Sequence, residues 1–448
     1  MNPSRAITAL ALALVVPSLA AGEGPLTLDE ALARATRSNL DLVLAREDAR
    51  IASADATTSF AGLLPRLDVR YSAAKEWSGE TEGFRTSTGV LVPGQPATDQ
   101  NSYSFSTSLT QPLFDWTALQ SSRSASAATR AAERTFDEST LTIAFEVTRR
   151  FYEAVRAERT LAVLEATVAR TQELVTRADA LFAAGRAPRS DTYTNRVNLA
   201  NDRIAAEQQR ARVLQARTAL GQAIGLTGAD AAQLSVAAPM QIDTAERPGQ
   251  PPAVADVLAL AGKRRPALAA AQARVDAAKA NVSAAWGGYL PTVDASLSYG
   301  RSYPTFTGDF GVAGKLENTY GASAGVTATW NLFEGRRTQA SVQRAESQAR
   351  RARAGLEIAE LDVARQISDA HAVAASRATQ VGLASDNLAT AQQALALARE
   401  RLDAGLATQL EVREASLNLT RAELSLVEAR IDHAVAIADL ARASGGPL

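Results

Sequence analysis

The chain has 448 residues, no cysteine, a formal net charge of −1 and only 5% aromatic residues. The absence of cysteine excludes disulfides, thiolate metal sites and a cysteine nucleophile, and the interspersed charges argue against a nucleic-acid-binding surface. Ala, Leu, Arg, Gln and Glu dominate the composition, which is typical of long helices.

The first twenty residues have the pattern of a secretory signal peptide. Arg5 precedes an apolar run from Ala6 to Val16, and Ser18-Leu19-Ala20 provides a processing site of small residues. The run is shorter than the ~20 residues that a membrane-spanning helix needs, and no second run of this kind follows. We therefore expect residues 1–20 to be removed and the mature protein, an envelope protein, to contain no transmembrane helix.

A helix and a β-hairpin are predicted next. Thr27 and Glu30 have the spacing of a capping box, and the helical pattern continues to about Gly62 with a break near Ser38 and Asn39. Two segments with alternating apolar and polar residues follow, which predicts a hairpin over residues 66–110. Apolar-face residues are Leu67, Val69, Tyr71 and Ala73 in the first strand and Tyr103, Phe105 and Leu109 in the second. Ser78–Gln100 is rich in Gly, Ser, Thr and Pro and is predicted to be a loop.

A long helical hairpin is predicted over residues 115–226. No proline interrupts residues 115–184, and a seven-residue apolar repeat from Val147 to Phe182 predicts a coiled coil that only Arg150 and Thr171 interrupt.

The helical hairpin turns at Gly185–Arg189, and a second helix runs to about Leu226. Ser190 or Asp191 can cap this second helix. Residues 227–252 contain four prolines and are predicted to be a linker.

The same plan recurs in residues 253–446. In order it predicts a helix region Ala253–Trp286, a strand Thr292–Arg301, a loop Ser302–Asn318, a strand Tyr320–Trp330 and a helical hairpin 336–444. Gly405 stands 220 residues after Gly185, and Arg377 alone interrupts the second seven-residue repeat. Residues 26–226 and 253–446 are therefore predicted to be two structural repeats.

Four strands per chain predict an oligomer. Each strand is long enough to cross a bilayer at a tilt, and aromatic residues end the apolar faces as in lipid-facing strands. Four strands cannot close a barrel, and an open edge is not tolerated in lipid. Three copies would supply twelve strands around one axis. The pore would then be lined by Asp68, Arg70, Ser106, Asp294, Ser296 and Thr327.

Short motifs at the ends of the strands and helices carry a family resemblance. Gly62-Leu63-Leu64-Pro65 and Gly288-Tyr289-Leu290-Pro291 precede the strands, Leu113-Phe114-Asp115 and Leu332-Phe333-Glu334-Gly335 follow them, and each helical turn has a Gly followed by an acidic residue. In this order the motifs resemble the TolC-like outer-membrane efflux proteins over Leu26 to about Gly446.

The resemblance implies a homotrimer. Its three chains would share a 12-stranded β-barrel in the lipid of the outer membrane, continued by a long α-helical coiled-coil tunnel in the periplasm. The implied activity is passive conduction for a tripartite efflux pump or type I secretion system, with a periplasmic adaptor (membrane fusion) protein and an inner-membrane transporter as partners. Ser78–Gln100 and Ser302–Asn318 would be extracellular loops, and the helical turns would form the periplasmic tip.

Acidic residues near the turns are implied to ring the periplasmic aperture. Glu411 and Glu414 lie three residues apart and so on one helix face. The simpler interpretation is a solvated helix face, because charged residues are mostly exposed. Asp191, six residues after Gly185, is the equivalent in the first half, although a helix N-cap explains it as well.

The turns themselves, Gly185-Arg186 and Gly405-Leu406, resemble the adaptor-contacting tips of the family. Their simpler interpretation is that glycine supplies the backbone conformation of a helical turn.

Enzymatic chemistry is not predicted. His371 and His433 are the only histidines, and each stands alone on a helix, whereas metal sites cluster their ligands. We therefore expect no cofactor and no catalytic site. The alternative to a duct is a periplasmic coiled-coil scaffold. A scaffold exposed to water does not require strands that alternate apolar and polar residues and end in aromatic residues.

Overall fold

The computed structural model describes residues 24–237, 248–303 and 320–447. The chain consists of long helices and one four-stranded sheet, and it divides into two compact units. The predicted signal peptide (1–20), part of the predicted linker (238–247) and most of the predicted loop Ser302–Asn318 lie outside the described residues.

The sheet belongs to the unit made of Thr36–Glu146, Arg247–Val381 and Asp432–Leu448. Its described strands are β1 (Arg66–Ser78), β2 (Phe84–Arg85), β3 (Leu91–Val92), β4 (Thr98–Phe114), β5 (Thr292–Tyr303) and β6 (Tyr320–Thr329). The four long strands lie in the order β1-β4-β5-β6, and each neighbouring pair is antiparallel. The four predicted strands are thus confirmed.

The loop predicted at Ser78–Gln100 has structure of its own, contrary to the prediction. β2 and β3 form a short hairpin with Phe84 opposite Val92, and β4 already begins at Thr98. Gly89, with a φ of 85°, lies in the turn between β2 and β3. Strands of two residues are too short to show an alternating pattern, so the sequence revealed only the turn-forming residues.

The sheet has two chemically different faces. One row across it consists of Leu67, Leu109, Leu297 and Ala324, and the next row, on the other face, consists of Asp68, Ser108, Ser298 and Ser323. Directly opposed residues in antiparallel strands share a face. β1 and β6 are exposed along their whole length and have no second partner strand within the described residues. The predicted apolar and polar faces therefore continue across all four strands, and both edges of the sheet are open.

The described helices account for most of the remaining chain. They are α1 (Leu28–Ser38), α2 (Leu40–Ala61), α3 (Trp116–Ala183), α4 (Arg189–Ala223), α5 (Ala229–Ala232), α6 (Val254–Arg264), α7 (Pro266–Trp286), α8 (Arg337–Asp403) and α9 (Gln409–Ser444). In the described residues no helix is long and apolar enough to span a membrane.

Helix starts follow local sequence rules. The amide of Thr27 donates to the Glu30 carboxylate (3.2 Å) and the amide of Glu30 to the Thr27 hydroxyl (3.3 Å), which confirms the predicted capping box. Asn39 accepts from the amide of Asp41 (2.9 Å), and this N-cap explains the predicted break. The region Ala253–Trp286 is two helices rather than one, because Pro266 cannot donate a backbone hydrogen bond inside a helix.

The second unit comprises the described residues of Met1–Ala35, Val147–Glu246 and Gly382–Ile431. Its core includes buried Leu395, Val412 and Leu419, with Leu174 and Leu388 packed against them. Val147, at the start of the predicted seam, is fully buried. Phe182, at its end, is 43% exposed, because it lies in the last turn of α3. The predicted repeat therefore describes the core of this unit but not its tip.

Candidate functional site

Two helical turns, which join α3 to α4 and α8 to α9, share one backbone motif. Gly185 and Gly405 have φ of 72° and 74°, a conformation that glycine adopts at least cost. In the first turn the amides of Gly185 and Arg186 donate to carbonyls three and five residues earlier, both at 2.9 Å. The amides of Gly405 and Leu406 do the same at 3.0 and 2.8 Å. This is the Schellman motif, so the requirement for glycine in both turns is local.

The two turns expose different chemistry. Leu406 and Leu410 are 70% and 74% exposed beside the second turn. The first turn exposes Arg186 and Arg189, and the Arg189 guanidinium lies 5.5 Å from the centre of the Tyr193 ring. One turn therefore presents apolar side chains and the other presents cations.

Glu411 belongs to the cap of α9. Its amide donates to the Thr408 hydroxyl (3.3 Å), and its carboxylate accepts from the amide of Thr408 (3.2 Å). Arg401, in the last turn of α8, lies 3.6 Å from the same carboxylate. The sequence analysis missed this capping box, although the Thr-x-x-Glu spacing of Thr408 and Glu411 identifies it.

Glu414 lies one turn further along α9 and is exposed. Within the described residues its side chain forms no hydrogen bond or ion pair. Val412 and Arg413, between the two glutamates, are buried. The outward direction of Glu411 and Glu414 is therefore set by the inward direction of their neighbours, and the predicted shared face is confirmed.

Asp191 is not a helix N-cap, contrary to that interpretation of the sequence. The N-cap of α4 is Pro188, with extended backbone angles, and Asp191 is the third helical residue. A proline disfavours the helical conformation in the residue before it, so α4 does not extend beyond Pro188 towards the N-terminus. The helix begins at Arg189, one residue before Ser190. The side-chain amide of Asn195 donates to the backbone carbonyl of Asp191 (2.9 Å) and to the side-chain oxygen of Gln409 (2.7 Å). Asp191 is thus held in the first turn of α4, where an acidic residue is favoured by the helix dipole.

A buried charged cluster, missed in the sequence, lies near Glu411 and Glu414 along α9. Arg413 is 9% exposed and donates to both carboxylate oxygens of Asp202 on α4 (2.8 and 2.9 Å). It also donates to the hydroxyl of Thr171 on α3 (2.7 Å), which in turn donates to Asp202 (2.6 Å). We call Thr171, Asp202 and Arg413 the first polar layer. Its bidentate, charge-assisted contact joins α9 to α4, and the Thr171 hydroxyl joins α3 to both.

A second polar layer follows and consists of Thr167, Arg170, Thr420 and Glu423. Arg170 on α3 donates to both carboxylate oxygens of Glu423 on α9 (3.1 and 2.8 Å) and to the hydroxyls of Thr167 (3.0 Å) and Thr420 (3.1 Å). The hydroxyls of Thr167 and Thr420 are 2.9 Å apart. Both layers therefore lie between α3 and α9, next to the apolar cluster that contains Leu174 and Leu419.

The sequence contained one sign of these layers. Thr171 interrupts the seven-residue repeat, and it is fully buried in the first layer. Arg377, the interruption in the second half, likewise pairs with Asp432 across helices (3.1 Å). The partners could not be found from sequence, because Asp202 and Arg413 lie on helices far away along the chain.

No group of three or more His, Asp or Glu side chains in the described part of the chain could hold a metal ion. His371 contacts the carbonyl of Pro252 through a ring nitrogen (2.9 Å).

Comparisons with known proteins identify the family. The family model described as outer membrane efflux protein matches residues 31–226 and 257–446. The chain is 26% identical to the outer membrane efflux protein BepC of Brucella suis over 428 residues, which are 94% of this chain and 85% of BepC. It is 25% identical to the alkaline protease secretion protein AprF of Pseudomonas aeruginosa, over 85% of this chain and 76% of AprF.

A solved structure agrees with this assignment. The Campylobacter jejuni CmeC outer membrane channel has a TM-score of 0.77 at 16% identity, over 94% of this chain and 85% of CmeC. The fold is that of the TolC-like outer membrane channels, with mostly helical content. Since the family model matches most of the chain, the protein belongs to the outer membrane efflux protein family, a family of outer-membrane transport proteins.

Proposed function

We propose that this protein is the outer-membrane exit duct of a tripartite efflux pump or a type I secretion system. It conducts substrate passively, and a transporter in the inner membrane supplies the energy. One observation carries the proposal: a four-stranded sheet whose exposed outer strands continue one apolar and one polar face across all four strands. An apolar face of this kind suits lipid, and a polar face suits a wet pore.

The proposed assembly is a homotrimer. The open edges of β1 and β6 cannot remain unpaired in lipid, so β6 of one copy pairs with β1 of the next. Three sheets of four strands then close a 12-stranded barrel, and the helices form the periplasmic tunnel. The predicted internal repeat supports this plan, and the two segments that the family model matches, 31–226 and 257–446, correspond to the two predicted repeats.

The proposed aperture consists of Glu411, Glu414 and Asp191. Threefold symmetry brings six glutamate carboxylates near one axis, and their field favours cations. Exposure of both glutamates supports this role, whereas the capping box gives Glu411 a second, local role.

The proposed adaptor contacts are the tips Gly185-Arg186 and Gly405-Leu406. Their exposed cations and apolar side chains are suited to a protein partner. The names of BepC and AprF place such relatives in efflux and in protein secretion, which leaves both routes within the proposal.

The test is to extract the protein from outer membranes with detergent, measure its mass by native mass spectrometry and reconstitute it in planar bilayers. We expect a trimer that conducts ions. A soluble monomer or dimer that does not conduct would contradict the duct and support a periplasmic scaffold.

A further inference from the structure

The connection between β6 and α8 contains an uncommon backbone conformation. Arg336 has a φ of 68°, and it is the only residue other than glycine with a positive φ in the part of the chain that the structure describes. Gly335, directly before it, has a φ of 58°. Glycine adopts this left-handed conformation at less cost than arginine, and residues held in it cluster at functional sites. An arginine at this position therefore indicates a use for its side chain.

Two apolar side chains in the same connection are exposed. Leu332 and Phe333 are 79% and 86% exposed, more than any other large apolar side chain among the described residues. They follow β6, whose Ala324 and Val326 lie on the apolar face of the sheet. Neighbouring apolar side chains with this exposure mark a contact with a membrane or with another protein.

Aromatic side chains lie at the same end of the strands. The ring nitrogen of Trp330 donates to the backbone carbonyl of Tyr289 (3.0 Å), and the rings of Tyr289 and Trp286 are 5.4 Å apart. All three side chains are exposed. Rings with a polar edge are enriched where hydrocarbon meets water. In the proposed barrel this is the periplasmic end of the strands, where the headgroups of the inner leaflet lie.

The connection also presents positive charge. Arg336 and Arg337 are exposed, and Arg336 forms no hydrogen bond or ion pair within the described residues. The Nε atom of Arg337 lies 3.8 Å from a carboxylate oxygen of Glu334, which also accepts from the hydroxyl of Thr338 (3.5 Å). One carboxylate therefore faces two guanidiniums, and the connection keeps a net positive charge. Guanidiniums match the geometry of phosphate oxygens.

The equivalent connection between β4 and α3 provides an internal comparison. Its apolar residues Leu113 and Phe114 are less exposed, at 58% and 42%. Asp115 follows them and accepts from the amide of Ala118 (2.9 Å), so that it caps α3. The first arginine after β4 is Arg123, eight residues beyond Asp115. The combination of apolar pair, left-handed backbone and two arginines therefore belongs to the β6–α8 connection alone of the two.

We propose that Leu332, Phe333, Arg336 and Arg337, the junction site, bind an anionic phospholipid of the inner leaflet of the outer membrane. The apolar pair contacts the acyl chains, and the two guanidiniums bind the headgroup phosphate. The left-handed backbone of Gly335 and Arg336 keeps both pairs of side chains within one short turn. This inference rests on the proposed function, which places the strands in the membrane.

Lipid binding is measured by titrating the full-length protein in detergent with phosphatidylglycerol or phosphatidylcholine and counting bound lipids by native mass spectrometry. Both lipids have a phosphate, and only phosphatidylglycerol has a net negative charge. We expect wild type to bind phosphatidylglycerol more tightly. Arg336→Gly and Arg337→Gln should each weaken its binding about fivefold, because each removes one cation near the headgroup. Equal affinity of wild type for the two lipids would overturn the proposal.

Arg336→Gly separates lipid binding from folding. Glycine suits a φ of 68° better than arginine, so without lipid the variant should unfold at the same temperature as wild type or at a higher one. It should also lose most of the increase in unfolding temperature that phosphatidylglycerol gives wild type. A lower unfolding temperature without lipid would show that Arg336 stabilises the turn itself, and it would overturn the assignment of this residue.

The matched control removes two positive charges further along α8. Arg351 and Arg353 are exposed, and they lie 14 and 16 residues after Arg337, about 21 Å or more along the helix. This distance exceeds the screening length of ~8 Å at physiological salt. Arg351→Gln with Arg353→Gln should therefore bind phosphatidylglycerol as wild type does. Equal losses in this control and in Arg336→Gly with Arg337→Gln would reduce the effect to total charge and overturn the junction site.

Phe333→Ser distinguishes lipid from a second copy of the chain as the partner of the apolar pair. We expect weaker binding of phosphatidylglycerol and an unchanged oligomeric mass in detergent without lipid. Dissociation of the oligomer in the variant would show that a neighbouring copy covers Phe333, and it would overturn the lipid assignment. Wild-type protein that conducts in planar bilayers yet shows no preference for phosphatidylglycerol contradicts the junction site alone. Protein that neither conducts nor enters bilayers contradicts the proposed function.

Discussion

His433 links the stability of α9 to pH. Its ring is half-buried on α9, and burial lowers the pKa of the imidazole below its usual 6.5. The unfolded chain therefore binds this proton more readily than the folded chain. The stability that neutral His433 contributes is complete above pH 6.5 and is lost as the pH falls towards the lowered pKa.

We expect His433→Gln to reduce the loss of thermal stability between pH 7.5 and pH 5. The unfolding midpoint of wild type and variant, measured across that range, checks this. Parallel profiles for wild type and His433→Gln would show that the ring is equally basic in both states.

Individual residues were predictable where their partners are close in sequence. The Thr27–Glu30 cap was predicted and confirmed, and the Thr408–Glu411 cap follows the same rule. The prediction that Asp191 is an N-cap was wrong, because Ser190 and Asp191 fit more than one position at the start of a helix. The extended backbone of Pro188 makes that residue the N-cap, and its conformation depends on the path of the chain through the turn.

The junction between α6 and α7 contains the most deeply buried cation of its region. Arg265 is 4% exposed, and burial lowers the pKa of its guanidinium. It pairs with Glu138 on α3 (2.6 Å) and donates to the carbonyl of Arg442 on α9. One side chain at a proline-induced break thus connects three helical segments of the unit.

We expect Glu138→Gln to destabilise the protein by about 3 kcal/mol, because it leaves Arg265 charged and buried without its anion. Asp137→Asn is the matched control on the same helix. It removes the exposed pair with Arg134 and should cost less than about 1 kcal/mol. Chemical unfolding of the three proteins gives both values. Equal effects of the two substitutions would show that Arg265 is hydrated in solution.

Helices and strands were predictable because their patterns are long. The 68 residues of α3 contain many heptads, and the strands alternate over ten or more residues. The β2–β3 hairpin was missed because two residues do not define a period. The polar layers were missed because they depend on which helices meet, and a seven-residue repeat does not specify this.

The oligomeric assembly depends on contacts between copies of the chain, which a sequence pattern within one chain does not define. β1 and β6 each have one partner strand within the described residues, and in the proposed barrel each would pair with a neighbouring copy. The proposed number of copies follows from closing such a barrel. A measurement on the whole channel is therefore the most informative test of the acidic residues.

Charge at the proposed aperture can be removed without removing the cap of α9. Glu411→Gln retains a side chain that completes a capping box, so the start of the helix is preserved while its carboxylate is lost. Glu414→Gln removes the second carboxylate at an exposed position.

In the proposed trimer the double variant loses six negative charges near the axis of the proposed aperture. We expect the ratio of potassium to chloride permeability to fall severalfold, because the field that concentrates cations is removed. Reversal potentials in a potassium chloride gradient across planar bilayers give this ratio. Glu357→Gln, an exposed acid on α8 46 residues before Asp403, is the control and should keep the wild-type ratio. If the double variant and the control give the same ratio as wild type, the glutamates lie away from the conducting path and serve only the helix surface.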